Sequence, residues 1–442
     1  MSPVSLIIVG AGQRGAIYAN FAQANPHLLT VVGVADPRPL RLHRIADKFD
    51  ISSDKAVDDW RKLLALGKFA DAVVIGLLDK DHLEAVKAFA PLKYDILCEK
   101  PMAVSIPQCI EMTRVVREQD IIFGIGHVLR YSPYNVAIKQ VIDSGVIGDI
   151  VNIQHIEPVG FEHFAHSYVR GNWNKESDTS FSLMTKCCHD IDILNFFLSG
   201  KDGADRLKNY PTRVSSFGSL KHFRPSNKPA EAKGARRCTE CPYEPECQFS
   251  AKKVYLDQFY RPDRIYKETR AKHFVENDVL SPETIMPYLE TGPFGECVYN
   301  GQNDVCDNQV VNIEYASGTT ASMTMIAFSD SQTECDRITR IHGTRGQIVG
   351  NMRTFDVFDF VTKESKHFAP KQEGKSHGGG DAGVSRAFAA AVSMRDQTLL
   401  GVTPEDVLMS HLLVFAAEKS RRSGTVVDFK AFEAESGSIV QR

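Results

Sequence analysis

Three things are scarce in this chain of 442 residues, and each scarcity excludes a class of protein. Charge imbalance is nearly absent: 52 Lys and Arg stand against 55 Asp and Glu, a formal net charge of −3. That balance does not suit a nucleic-acid binder or a protein held on an anionic membrane surface. Long apolar runs are missing, none reaching the roughly 18 residues of a membrane span. The N-terminus lacks the charged-then-apolar layout of a secretory leader. Cysteine, at ten residues, is too sparse for a disulfide scaffold at this length, so most thiols are expected reduced and buried. No internal repeat or low-complexity tract is evident. With 43% hydrophobic and 24% charged residues, the expectation is a soluble, cytoplasmic protein. Its length exceeds one ordinary core, so two domains are expected.

What is present begins at once. The apolar run Val4 to Val9 feeds Gly10-Ala11-Gly12-Gln13-Arg14-Gly15, and a helical stretch, Ala16 to Ala24, follows. This is G-x-G-x-x-G in the context its physics needs. The first glycine allows a tight turn and the second lets backbone approach a pyrophosphate. The third packs helix on strand, with phosphate at the helix N-terminus. A second strand ends at Asp36, at the distance where an acid hydrogen-bonds the adenosine ribose of NAD. The same residue could simply cap a helix before Pro37. Arg38 and Arg41 lie just beyond and could pair with a 2′-phosphate, so NADP stays open beside NAD.

Residues 1–127 alternate strand and helix signals, as a doubly wound parallel Rossmann sheet requires. Strands are expected at Ser5–Val9, Val31–Ala35, Ala72–Gly76, Ile96–Cys98 and Ile121–Gly126. Residues 128–442 read as an α/β domain with a large, mostly antiparallel open sheet, its strand signals lying between 148 and 361. A segment rich in Pro, Cys, charge and aromatics, about 221–295, reads as an insertion. Such a sheet exposes one face, so a homodimer or homotetramer is expected.

Two constellations carry chemistry. Ile96-Leu97-Cys98-Glu99-Lys100-Pro101 ends a buried strand in an acid, a lysine and a proline. The proline suits an unusual turn, cis included, that aims Lys100 at a nicotinamide. Lys100 could polarise a substrate hydroxyl, and Glu99 could hold its ammonium. In Thr185-Lys186-Cys187-Cys188-His189-Asp190-Ile191-Asp192, helical spacing puts Thr185, Lys186, His189 and Asp192 on one face. A histidine between a lysine and a carboxylate is an acid/base candidate, although helix histidines are often only packed.

In motif order these residues, with Gly145-Val146-Ile147-Gly148-Asp149-Ile150 between them, resemble the Gfo/Idh/MocA family of NAD(P)-dependent sugar and polyol oxidoreductases. The resemblance covers nearly the whole chain, and its strongest element is Glu99-Lys100-Pro101. It implies Lys100 as the catalytic lysine and His189 as the histidine that takes or returns the hydroxyl proton. It implies Asp192 as support for substrate or helix, and His82 and Leu77 near the nicotinamide. His127, Arg130 and Tyr131 would line the site after the Rossmann domain. The family often has an acid or glycine where Thr185 stands. This chain resembles a less common branch with a Lys-Cys-Cys-His-Asp core, in which Lys186 could bind an acidic sugar or a hydroxyl. A small, carbohydrate-like substrate is implied. Some relatives hydrolyse glycosides by transient oxidation and elimination, and the fold is also recruited as a dinucleotide sensor. A short-chain dehydrogenase would want Tyr-x-x-x-Lys, and Tyr134 with Lys139 has the wrong spacing.

Four further features are unassigned. Trp173 could stack on a sugar or simply pack. Arg170 suits a carboxylate. His377-Gly378-Gly379-Gly380-Asp381 could bring His377 to the cleft or only make a bend. Cys238, Cys241 and Cys247 have zinc-like spacing, with Cys297 or His222 as a fourth ligand. A structural zinc, a partial disulfide and free thiols remain open.

Overall fold

The computed structural model describes residues 2–200, 208–261, 269–330, 336–373 and 377–437. Its first sheet holds β1 (Val4–Val9), β2 (Leu29–Ala35), β3 (Ala56–Val57), β4 (Ala72–Ile75), β5 (Asp95–Cys98) and β6 (Phe123–Ile125). They run parallel in the order β3-β2-β1-β4-β5-β6. The expected Rossmann sheet is present, with one strand more than the sequence signalled. β3 is only two residues long, too short for periodicity to register. Every residue of β4 and β5 is buried, because crossover helices cover both faces. Each buried Val, Ile or Leu there contributes roughly 1.5–3 kcal/mol. The strand order reverses at β1 and β4, and the crevice outside their C-terminal ends is where such sheets place ligands.

The second sheet has nine strands. They are β7 (Ile150–Gly160), β8 (Pro211–Ser219), β9 (Asn308–Tyr315), β10 (Thr320–Ser329), β11 (Ile338–Gly343), β12 (Gly346–Gly350), β13 (Phe355–Asp359), β14 (Ser365–Phe368) and β15 (Val427–Asp428). The order is β14-β13-β12-β11-β7-β10-β9-β8-β15, antiparallel except for β7 beside β10. One face, with Ile153, Val311, Ile313, Met323, Met325 and Ile341, is buried. The helices Ser182–Leu198 and Pro404–Ser423 lie on this sheet and on each other.

The stretch Gln397–Ser423 is long and apolar enough by length and composition to cross a membrane, with mean hydropathy 1.4. This departs from the expectation drawn from unbroken apolar runs. In the fold its larger part is the core helix Pro404–Ser423, with Leu412, Leu413, Val414, Ala416 and Ala417 wholly buried.

The inserted segment packs a core of its own around Tyr255, Ala271, Phe274, Ile285 and Leu289. Residues 262–268 of it lie outside the described residues. It also reaches the Rossmann half. Glu276 and Asp278 pair with Arg38 and Arg44 at 3.0 Å each, and the carbonyl of His273 accepts from Arg41 at 2.7 Å.

The glycine turn shows two distinct constraints. Gly10 has φ +88, and a Cβ there would meet the Gly76 carbonyl oxygen at 2.5 Å. A Cβ on Gly15 would stand 2.1 Å from the Gly10 oxygen, whereas one on Gly12 would meet only Arg41 Nη1 at 3.4 Å. Gly15→Ala should therefore cost about 1–3 kcal/mol in urea denaturation. Gly12→Ala should stay within about 0.5 kcal/mol of the parent.

Candidate active site

Lys100 stands just past the end of β5, its peptide bond to Pro101 cis. Its Nζ donates to the Thr185 carbonyl at 2.5 Å, one helical turn before His189. The two motifs singled out in the sequence are thus joined by a direct hydrogen bond between the Rossmann sheet and the helix Ser182–Leu198. His82 supports the turn, one ring nitrogen 2.8 Å from the Pro101 carbonyl and the other 3.3 Å from that of Leu77. Asp79, which the sequence reading passed over, is buried beside this turn and accepts from Trp173 Nε1 at 2.9 Å. Burial pushes the Asp79 carboxyl up, while His82 and Lys100 oppose the shift.

Glu99 does not hold the Lys100 ammonium. Its Oε1 accepts from Arg14 Nε at 2.7 Å and from Tyr18 at 2.6 Å. Arg14 then reaches across the domains, its Nη2 donating to Asp381 Oδ1 at 2.6 Å. Asp381 Oδ2 lies 3.1 Å from His377 Nδ1, and the His377 ring packs edge-on at 5.9 Å from that of His189. A hydrogen-bonded chain from Arg14 through Asp381 to His377, ending in a ring contact, therefore links the glycine turn to His189. Burial opposes the Asp381 carboxylate, but His377 and Arg14 outweigh it and hold it well below the usual carboxylate range.

His189 is buried. Its Nε2 sits 3.1 Å from Asp190 Oδ2 and 3.0 Å from Arg337 Nη2, while Nδ1 has no protein partner. Burial lowers its pKa well below the usual histidine value, with Arg337 and Lys100 adding to the shift against Asp190, so the ring is neutral. The carboxylate that touches it is Asp190, not Asp192. Asp192 accepts from Arg130 Nε at 2.5 Å and Nη2 at 2.8 Å, and from the Ser410 hydroxyl at 2.7 Å. His127 lies 3.2 Å from it. Helical spacing relates residues three apart, but this helix is buried almost all round, so neighbouring residues find separate partners.

Lys186 likewise points into the protein, paired with Glu157 on β7 at 2.8 Å. Burial would lower its pKa, but Glu157 outweighs that and raises it. Arg337 completes the group, its Nε 2.5 Å from Asp190 and 3.0 Å from Glu157. Two cations and two carboxylates thus neutralise one another beneath His189, with His155 contacting Asp190 at 3.1 Å. Arg337 and Glu157 carried no sequence signal, being single residues distant in the chain, one just before β11 and the other on β7.

The remaining residues divide. Gly10, Gly12, Gln13, Arg14 and Gly15 form the turn and first helical turn after β1. Asp36, buried, accepts from Ala11 N at 2.8 Å and Arg38 N at 2.9 Å. The helix Gln13–Ala24 has no side-chain cap and no acid in its first turn, which suits an anionic phosphate. With the Cβ-free approach at Gly12, these residues fit a dinucleotide. Arg38 and Arg41 are engaged by Glu276 and the His273 carbonyl. Tyr131 donates to the Leu400 carbonyl at 2.9 Å. Arg170 donates to the Glu296 and Phe249 carbonyls and to Cys238 Sγ.

Arg14→Met should destabilise the fold by roughly 3 kcal/mol, because two buried carboxylates lose their cation. Since Asp381 is held below its unfolded value, the contribution is present above about pH 4 and fades as pH falls. The gap between parent and variant in urea melts should shrink below pH 4. A gap independent of pH would count against the pairing.

Comparison with known proteins adds relatives to this geometry. Residues 4–127 match the profile described as "Oxidoreductase family, NAD-binding Rossmann fold". Residues 265–429 match its companion, "Oxidoreductase family, C-terminal alpha/beta domain". The YteT protein of Bacillus subtilis (strain 168) is 22% identical over 370 residues, 79% of this chain and 80% of that protein. The 2,7-anhydro-N-acetylneuraminate hydratase of Escherichia coli (strain K12) is 26% identical over 191 residues, 43% of this chain and 48% of that enzyme. Among solved structures, levoglucosan dehydrogenase in complex with NADH and levoglucosan superposes with a TM-score of 0.67 at 16% identity, covering 97% of this chain and 100% of that one. With both profiles matched in order on the two sheets, the chain belongs to the Gfo/Idh/MocA family of oxidoreductases.

Proposed function

We propose that this protein is an NAD-dependent oxidoreductase that interconverts a secondary alcohol and a ketone on a sugar or polyol. The observation that carries the reading is the bond from Lys100 to the helix turn bearing His189, at the edge of the sheet that also presents the glycine turn. Bound NAD(H) supplies or accepts the hydride. Gly10, Gly12, Gly15 and Asp36 would hold it, with Leu77 and His82 toward the nicotinamide end.

The chain's own residues handle the proton. Lys100 Nζ exchanges the Thr185 carbonyl for the reacting oxygen and stabilises charge on it. His189 meets the hydroxyl through Nδ1, its unpartnered nitrogen. The contact of Nε2 with Asp190 serves both directions. When Nε2–H donates to Asp190, Nδ1 keeps its lone pair and is the base, and taking the hydroxyl proton there makes the ring an imidazolium. In the reverse direction that imidazolium, with Nε2–H still on Asp190, returns the proton from Nδ1 and becomes neutral again. Trp173 and His377 stand nearby to shape the substrate pocket, and Arg130 with Asp192 braces the helix. Asp36 favours NAD by repelling a 2′-phosphate. A second reading is net hydration or elimination on a sugar with NAD regenerated, favoured by the hydratase among the relatives. The outer face of the second sheet carries Phe217 opposite Val310, with Phe328 and Ile338 also exposed, and we assign it to contact with another copy.

Lys100→Ala and His189→Ala should each lower kcat/KM by roughly 10²–10⁴ on a sugar and polyol panel. NADH affinity by fluorescence titration should hold within about twofold. Full activity in either variant would remove that residue from the mechanism. Because His189 is held neutral, the acid limb of the rate profile should fall well below pH 6.5. Asp36→Ser should lower the ratio of NAD to NADP efficiency by about tenfold, a loss of one ribose hydrogen bond to a charged group.

A further inference from the structure

The inserted segment and a strand bridge bring Cys238, Cys241 and Cys247, close in sequence, and the remote Cys297 to one small cavity. Cys238 and Cys241 flank a short turn, Cys247 follows a second turn, and Cys297 comes in on the segment whose residue 296 bridges antiparallel to Arg237. The cavity they line is about 20 Å³, room for one water-sized atom, and Arg170, Glu244 and Tyr299 are also in its wall. Cys238 and Cys297 are buried, and Cys241 and Cys247 partly so.

Among the described residues no carboxylate is paired with the guanidinium in the cavity wall, Arg170; the wall's own carboxylate, Glu244, accepts from the Ser250 hydroxyl and lies 3.6 Å from Lys252. Arg170 is buried, yet its acceptors among the described residues are the carbonyls of Glu296 at 2.8 Å and Phe249 at 2.7 Å and the Sγ of Cys238 at 3.4 Å. None is a carboxylate. Lys228 is bound by the Ala235 carbonyl and the Asn300 side chain. A buried guanidinium facing only neutral groups is costly unless an anion stands beside it. Four thiolates around a dication sum to a charge of −2, which supplies that anion.

We infer that Cys238, Cys241, Cys247 and Cys297 form a structural site for a single thiolate-bound metal ion, Zn²⁺. Four Zn–S bonds form as the thiol protons leave to solvent, with no change of oxidation state. The sulfurs stand wider than a closed tetrahedron, in which they would lie about 3.8 Å apart for Zn–S of about 2.3 Å. Among the described residues, the group with three ligand atoms already within 4.8 Å of one another is His127, Cys188 and His411. That group is spent, because His411 Nε2 accepts from Met102 N at 2.8 Å and its Nδ1 lies 2.9 Å from the Val407 carbonyl. Closing the four cysteines onto an ion would pin the insertion to Arg170. Arg170 ends the helical turn Ala165–Arg170, three residues before Trp173 at the active-site crevice. The ion is thus a staple, remote from the redox chemistry.

The test is metal analysis of the full-length protein purified without chelator. About one Zn²⁺ per chain is expected, falling to near zero in Cys241→Ser and Cys247→Ser and persisting in Cys306→Ser, a buried cysteine outside the cavity. Should the serine variants not fold, the parent still decides. After removal of its metal by chelator, added Co²⁺ should give thiolate-to-cobalt charge-transfer absorption saturating at one equivalent. Absence of both zinc and the cobalt band would overturn the site. So would a disulfide joining two of the four cysteines in the native protein, or stoichiometric iron with sulfide.

Discussion

Arg14 is the residue on which the two halves of the molecule turn. It is the second residue of the helix that follows the glycine turn, and it is shared by two carboxylates from different domains. Glu99 comes from the end of β5 and Asp381 from the helix Gly380–Met394. Neither acid has another arginine or lysine among the described ion pairs, and both are buried, so one guanidinium makes both ionised groups tolerable at once. The glycine turn, the Glu99-Lys100-Pro101 turn and the His377 loop consequently form one electrostatic unit. Separating the domains at this point would strand two charges, which makes the arrangement stiff where orientation matters most for a transfer between cofactor and substrate.

The helix Ser182–Leu198 is the second organiser, and it works by being buried on nearly every side. Its polar residues cannot turn to solvent, so each is claimed by a different neighbour. Lys186 and Asp190 face β7 and β11 through Glu157 and Arg337, and Asp192 faces Arg130, His127 and Ser410. His189 is left with one nitrogen spoken for and one free. A histidine that is dehydrated, neutral and half-satisfied is suited to proton transfer, since it pays little reorganisation to accept or release a proton.

Much of this was legible in the chain before the fold. The Rossmann half follows from local signals: β-branched runs, a glycine turn and amphipathic helices at regular spacing. Lys100 and His189 stood out as candidates because each sits in a short motif, and the fold joins Lys100 to the turn before His189 by a hydrogen bond. The partners were harder. Glu99 beside Lys100 suggested a clamp, yet the acid is taken by Arg14 and Tyr18 while Lys100 reaches the Thr185 carbonyl. Asp192 matched helical spacing to His189, but Asp190 makes the contact by reaching sideways to a nitrogen that periodicity does not describe. Arg337 and Glu157 had no local signature at all. Their role depends on β7 and β11 lying side by side, a long-range pairing that only the folded sheet creates.

That sheet pairing has a consequence for how the sequence can change. Lys186, Glu157, Asp190 and Arg337 come from three separate elements and balance to zero in a space closed to water. No single charge among them can be exchanged without leaving a net ion in the interior. Substitutions there can be accepted only in compensating sets, cation with carboxylate, so variation at these four positions should travel together while the crevice above them is free to be remodelled for a different substrate.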